Sequence, residues 1–351
     1  MLFRTVNKLM QKSHETRHPP SLSNALLADS FADFFTTKVE KIHTALVARK
    51  RDLSLADDEL LTNAAELNNF HEVSQEDVKE FADKPLSKSC CLDPLPASLL
   101  KDCFPVLLPT ITRMVNLSLT TGVIPDALKI ASLLPTLKKP TAEFKQFTNF
   151  RPISNLKFIS KLIEKSVAVQ LTKHVMTNHL DETFQSAYKE FHSTETALLR
   201  VHNDILCCLD QNKSVTLLLL DLSAAFHTVD HAILISRLSN RFGVKGTALA
   251  SFKSYLTSRQ QFVNVEEGMS SRRPLLRGVP QGSVLGPLLY LVYTAPIADI
   301  IKKHDLLYRL YADDTQLYIS FNTDCCADLD EAKLCVECCV EEITFGCAKT
   351  Y

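Results

Sequence analysis

Eight consecutive residues, Val215 to Leu222 (VTLLLLDL), constrain the fold more than any other part of the sequence. The run is almost wholly apolar, is entered from the turn Gln211-Asn212-Lys213, and carries Asp221 at its end. It predicts a strand buried on both faces, with a carboxylate at its tip. A second pattern complements it: Leu306 to Tyr311 and Gln316 to Phe321 flank Ala312-Asp313-Asp314-Thr315. This reads as a β-hairpin with two carboxylates at the turn.

Elsewhere the periodicity is helical. Leu22 to Val47 places Leu26, Leu27, Phe31, Phe34, Phe35, Val39 and Ile42 on one helical face, and an acidic helical segment follows around Val73 to Ala82. The segment CCLDPLPASLLKDCF, punctuated by Pro94, Pro96 and Pro105, predicts a turn and then a helix, with a further helix over Leu107 to Leu119. Ser154 to Leu180 has helical spacing, and Ser193 to Leu209 predicts a helix with a Ser cap and an early Glu195. Strands and helices together give an α+β fold. At 351 residues and 46% hydrophobic content the chain can bury a substantial core in about two domains.

No stretch reaches the roughly 18 to 20 uninterrupted apolar residues that span a bilayer, and the first residues lack an apolar signal core. A soluble intracellular protein without a membrane partner is expected. Eleven cysteines, several of them doubled, lack the spacing of a secreted disulfide framework, so reduced thiols are expected. Cys335 and Cys338, with Cys325, Cys326, Cys339 and Cys347 nearby, lack a second regular ligand pair and fall in what reads as one helix, Asp328 to Glu342. That pattern favours buried thiols over zinc.

The formal net charge of -1 argues against a nucleic-acid partner, but the average hides segregation. From Lys129 to Lys173 nine Lys or Arg stand against two Glu, while residues 50–83 and 321–345 are acidic. The basic stretch suffices to track a phosphate backbone, although a charge run alone is usually a solvated helix face.

An Asp at a strand end and an Asp pair at a hairpin tip are what two-metal phosphoryl transfer requires, because hard divalent cations need carboxylate oxygens held on a rigid sheet. Taken singly, each is more often a cap or turn residue. The surrounding strings decide between these readings. LLLLDLSAAF (Leu217 to Phe226), GVPQGSVLGPLLY (Gly278 to Tyr290) and YADD (Tyr311 to Asp314) resemble, in order and spacing, the reverse transcriptase motifs lettered A, B and C. NFRPISNLKFISKLIEK (Asn149 to Lys165) and HSTETALL (His192 to Leu199) are similar to the fingers motifs of LINE-type, non-LTR retrotransposon reverse transcriptases, and the resemblance runs over nearly the whole chain.

The resemblance implies a right-hand polymerase with fingers and an antiparallel palm sheet behind a helical N-terminal extension. The expected divisions are 1–128 for the helical lead-in, 129–345 for fingers and palm, and 346–351 for a truncated end. The implied reaction is RNA-directed DNA synthesis from dNTPs, with an RNA template, a DNA primer and two Mg²⁺ ions, or Mn²⁺ in their place. It implies a cytoplasmic and nuclear location. Asp221, Asp313 and Asp314 would be the metal-binding carboxylates, joined by the backbone carbonyl of Leu222. Phe226 matches the steric gate that excludes a ribose 2′-hydroxyl. Gln281 and Gly282 would pack against the incoming nucleotide, where a backbone close to a ligand leaves no room for Cβ. Arg151 would pair with the triphosphate through its planar guanidinium, assisted by Lys138. Tyr311 would lie beside the primer end, with Lys139 and Lys157 along primer or template.

Departures from the family pattern are visible. His227 stands where AAFDTVDH is usual, a loss expected to loosen the strand-to-helix turn. Ala187, Lys189 and Ser251 replace the common Gly, Arg and Trp. Relative to the family, the sequence is expected to lack the thumb and the apurinic-type endonuclease domain. These departures sustain a second reading, a catalytically dead truncated remnant or a co-opted RNA-binding module.

Overall fold

The structure is a computed structural model and describes residues 18–19, 21, 23–49, 65–82, 90–221, 225–322 and 326–349. Helices α1 (Asn24–Arg49), α2 (Gln75–Ala82) and α3 (Ala97–Thr121) precede a hairpin of β1 (Ile130–Leu137) and β2 (Phe150–Leu156). Next come α4 (Phe158–Thr177), α5 (Thr194–Asp210), β3 (Ser214–Asp221), α6 (His231–Asn240) and α7 (Gly246–Leu256). Then follow β4 (Gln260–Val265), β5 (Gly268–Met269), β6 (Arg273–Pro274), α8 (Leu285–Thr294) and α9 (Pro296–Lys303). The chain continues through β7 (Leu307–Tyr311) and β8 (Asp314–Phe321) to α10 (Cys326–Lys349). The mixed α+β architecture is the expected one.

Two sheets organise the molecule. In one, β3, β8 and β7 lie antiparallel in that order; in the other the order is β2-β1-β4-β5, with β6 also on β4, β1 being antiparallel to β2 and parallel to β4. The hairpin predicted around Ala312 to Thr315 is present. The burial predicted for β3 is not: Leu217 and Leu219 are 41% and 67% exposed. β3 pairs only with β8 and so is an edge strand. Leu218 and Leu220 pack inward with Leu317, Ala298, Ile301 and Cys339, while Leu217 and Leu219 share the open face with Asp221.

Two helix expectations are also corrected. The segment read as two helices around Leu107 is one helix, α3, running through Pro105 and Pro109. Its buried Leu100, Phe104, Ile111, Val115 and Leu119 contribute about 1.5–3 kcal/mol each, which outweighs about 3 kcal/mol per interior proline. Ser154 to Leu156, read as the start of a helix, belongs to β2 instead, because residues 150–156 find a full antiparallel register on β1. Ser193 caps α5 as predicted, in a reciprocal bond pair with Thr196.

The largest core joins α2, α3, α4, α6, α7 and α8, so residues on both sides of position 128 share one interior. α1 packs on the β2-β1-β4 sheet through Leu27, Phe31 and Phe35 against Leu133, Phe150 and Val263. The helical stretch Leu285–Lys303 has the length and mean hydropathy (1.2) of a membrane span. Its Leu285, Leu289, Tyr290, Ala298 and Ile301 are buried in the two neighbouring cores, the environment of a core helix.

Candidate active site

Strand register assembles the carboxylates. Asp221, the last residue of β3, pairs with Asp314, the first of β8, and Asp314 also pairs with Tyr311 across the turn. Ala312 and Asp313 form that two-residue turn, with Ala312 at a φ of 56°. A left-handed alanine costs about 1–3 kcal/mol and persists only where surroundings enforce it. Here the Ala312 N–H donates to Gln185 Oε1 (3.1 Å), which also accepts from the Ala187 N–H (2.9 Å). Burial, and then the charges of Asp313 and Asp221, push the Asp314 carboxyl above its ordinary range.

Cations line the same space. A cavity of about 360 Å³ is lined by Asp221 and Asp313 and by Lys138, Arg151 and Lys38, together with Phe226, Gln281 and Tyr188. Lys138 follows β1 directly, and Arg151 pairs with Thr136 across the β1-β2 hairpin. Phe226 stacks on Tyr290 (ring centroids 4.8 Å apart, planes at 25°), which fixes its ring at the cavity wall.

The approach to α8 places Gln281. Its carbonyl accepts from the Ser154 N–H at 2.6 Å, and Gly282 has a φ of 108°. A Cβ on Gly282 would lie 2.7 Å from the Ser154 carbonyl oxygen, so protein packing against β2 already demands glycine there. Below this turn the carboxylate of Glu164, wholly buried on α4, accepts from the N–H groups of Val284 (2.7 Å) and Leu285 (3.2 Å) at the start of α8. Burial pushes Glu164 up, opposed by Arg259, whose guanidinium lies over the Tyr255 ring at 4.5 Å.

His227 is half-buried beside the cavity, and burial, then the nearby Lys38 charge, lower its pKa to about 4. The turn that carries it is held by other groups. The Gly278 and Val279 N–H donate to the Val229 and Phe226 carbonyls, and Thr228 Oγ1 donates to the Ala225 carbonyl.

The cavity thus gathers Asp221, Asp313, Phe226, Gln281, Arg151 and Lys138, with Asp314, Tyr311 and Gly282 on the adjoining backbone. Lys139 and Lys157 are not among its lining, Lys157 standing just before α4, whose first N–H is capped by Asp93. Leu222 lies outside the described residues. Gln185, Tyr188, Glu164 and Lys38 carry no local sequence signal for this site: Glu164 lies within a basic run, and α1 has the pattern of a helical lead-in. Among the described residues no three His, Cys, Asp or Glu side chains close into a metal cage. The donor set of three neighbouring carboxylates of like charge, one with a raised pKa, nonetheless fits hard divalent cations that keep part of their water shell.

Comparison with known proteins identifies relatives. The reverse transcriptase (RNA-dependent DNA polymerase) family matches residues 137–345. The chain is 31% identical over 257 residues to a probable RNA-directed DNA polymerase from transposon BS of Drosophila melanogaster, covering 72% of this chain and 28% of that protein. It is 30% identical over 253 residues to the RNA-directed DNA polymerase from mobile element jockey of the same species, covering 69% and 27%. Similarity to the probable polymerase from transposon X-element is 31% over 188 residues, covering 52% and 20%. The chain therefore spans only 20% to 28% of the length of these curated relatives.

Proposed function

Because this chain belongs to the reverse transcriptase family, as its match over residues 137–345 shows, we propose that it is the fingers and palm of a non-LTR retrotransposon polymerase that extends a primer with dNTPs on an RNA template. The observation that carries the reading is the gathering of Asp221 and Asp313 with Arg151 and Lys138 around one small cavity. The cations would bind the phosphates of a nucleoside triphosphate, and the carboxylates would hold the divalent ions on which the family's chemistry depends.

Two Mg²⁺ ions bound there would lower the pKa of the primer 3′-hydroxyl and stabilise the departing pyrophosphate. Asp221, Asp313 and Asp314 would hold them from a sheet whose register fixes the spacing. The primer 3′-oxygen would attack the α-phosphorus as its proton passes to solvent, the bond from the α-phosphorus to the α–β bridging oxygen would break, and pyrophosphate would leave. Phe226, braced by Tyr290, would occupy the space beneath the sugar and so select deoxyribonucleotides. The domain division at 128 and 345 belongs to this proposal, with α1 to α3 supporting the catalytic unit.

Primer extension on an RNA template by the purified chain, with Mg²⁺ and dNTPs, tests the reading. Extension abolished by Asp313→Ala supports it; extension surviving that substitution rejects it. His227, in place of the family's carboxylate, favours the second reading, an RNA-binding remnant. That reading requires RNA retention without extension, insensitive to Asp313→Ala but weakened when Arg151 is neutralised.

A further inference from the structure

The cavity has a lining residue for which neither the motif pattern nor the family match accounts. α1 lies wholly N-terminal to residues 137–345, yet Phe34, Phe35, Lys38 and Val39 on one of its faces form part of the cavity wall. The helix is held firmly there. Phe31 meets Phe150 and Phe147 edge-to-face at 5.0 and 4.6 Å, Asp33 pairs with Arg273 at 2.6 Å, and Asp29 accepts from the Ser271 N–H at 3.0 Å. Lys38 therefore projects from a fixed backbone one turn beyond these anchors, whereas Arg151 and Lys138 are exposed at a hairpin end.

The electrostatic surroundings of Lys38 call for an anion. Burial and then the charge of Lys138 lower its pKa, and no carboxylate among the described residues forms an ion pair with it. Its near neighbour His227 is uncharged at neutral pH and supplies no counter-charge. Asp221 and Asp313 line the same cavity but form no ion pair with Lys38 among the described residues. A half-buried cation left without a partner is costly, and a polyphosphate entering the cavity removes that cost at Lys38 while also meeting the exposed Lys138.

We propose that Lys38 is a third triphosphate-binding cation of this site and that α1 is a structural part of the nucleotide pocket. The inference rests on the reading that the cavity receives a dNTP. Backbone phosphate of the template shares the same chemistry, and the two sources separate in the test. Equilibrium binding of labelled dTTP in Mg²⁺, and in parallel of a labelled single-stranded oligonucleotide, is measured for the wild-type chain, Lys38→Gln, Lys38→Arg and Arg151→Gln.

The expected result is a roughly tenfold or greater loss of dTTP affinity in Lys38→Gln, substantial recovery in Lys38→Arg, and unchanged oligonucleotide binding. Unaltered dTTP binding in Lys38→Gln alongside a loss in Arg151→Gln overturns the role of Lys38 and leaves the nucleotide site standing. A loss confined to the oligonucleotide overturns it in favour of template contact. A wild-type chain that binds the oligonucleotide but no dTTP overturns both this inference and the reading on which it rests. An independent measurement avoids any folding defect in the variants: acetylation of the wild-type Lys38 amine, followed by mass spectrometry, should be suppressed by dTTP. Equal acetylation with and without saturating dTTP overturns the proposal.

Discussion

The two walls of the cavity are built differently. The carboxylate wall is set by strand register: Asp221 and Asp314 are cross-strand partners, and the turn carrying Asp313 is bonded to Gln185. The cationic wall consists of long side chains on a hairpin end and a helix, with Arg151 and Lys138 exposed. Fixed backbone positions suit carboxylates that would hold two divalent ions about 3.5–4 Å apart, and flexible stems suit capture of a mobile polyphosphate. Loss of the first wall should therefore stop chemistry, and loss of the second should weaken binding.

The sharpest test of that contrast is Asp313→Ala, expected to lower kcat for primer extension by about 10³-fold or more while dNTP binding changes little. Equal losses in kcat and in dNTP affinity would break the distinction. Next in size is Glu164→Ala, which acts on the frame between the walls. It frees the Val284 and Leu285 N–H groups, so we expect about 1–3 kcal/mol of lost stability for each, read as a fall in the urea midpoint. A midpoint unchanged within error would mean that α8 is held by packing alone. Smaller again is Arg151→Gln, expected to raise KM for dNTPs about 10- to 100-fold with kcat nearly kept, because a charge-assisted hydrogen bond contributes about 1.5–3 kcal/mol. Steady-state kinetics across a dNTP series reads it.

The same contrast explains what the sequence disclosed. Asp221, Asp313 and Asp314 were legible because a strand end and a hairpin tip are local patterns, and the hairpin lies where the pattern put it. The second sheet was not legible. β1 contains Pro135, which weakens a strand reading, and its parallel partner β4 lies far along the chain, Ile130 pairing with Gln260. Leu217 and Leu219 looked like core, because an apolar run does not report whether its strand lies at an edge. α1 showed its buried face through Phe31 and Phe35, but nothing local announced that Phe34 and Lys38 meet a cavity formed by residues more than a hundred positions away. The His227 substitution looked damaging to the turn, yet the bonds that hold the turn come from Thr228 and from backbone at Gly278 and Val279.

The smallest expected effect probes the carboxylate wall without chemistry. Asp314 has a folded pKa above its ordinary 3.8, caused by burial and by Asp313 and Asp221. Between those two values the folded state holds a proton that the unfolded state has released, so this group's contribution to stability falls as pH rises through the window. At pH 7 the ionised Asp314 is therefore a liability. Asp314→Asn should raise the unfolding free energy at pH 7 by less than about 1 kcal/mol, read as a small rise in the urea midpoint, since solvent screens so exposed a group, and the advantage should vanish below pH 3.8, where both states are protonated. Millimolar Mg²⁺ should narrow the difference at pH 7, because a divalent ion among the three carboxylates stabilises the wild type more than the variant. A variant that is less stable than wild type at pH 7 without Mg²⁺ would mean that Asp314 serves the fold rather than a cation, and the asymmetry between the two walls would then lie in packing and not in charge.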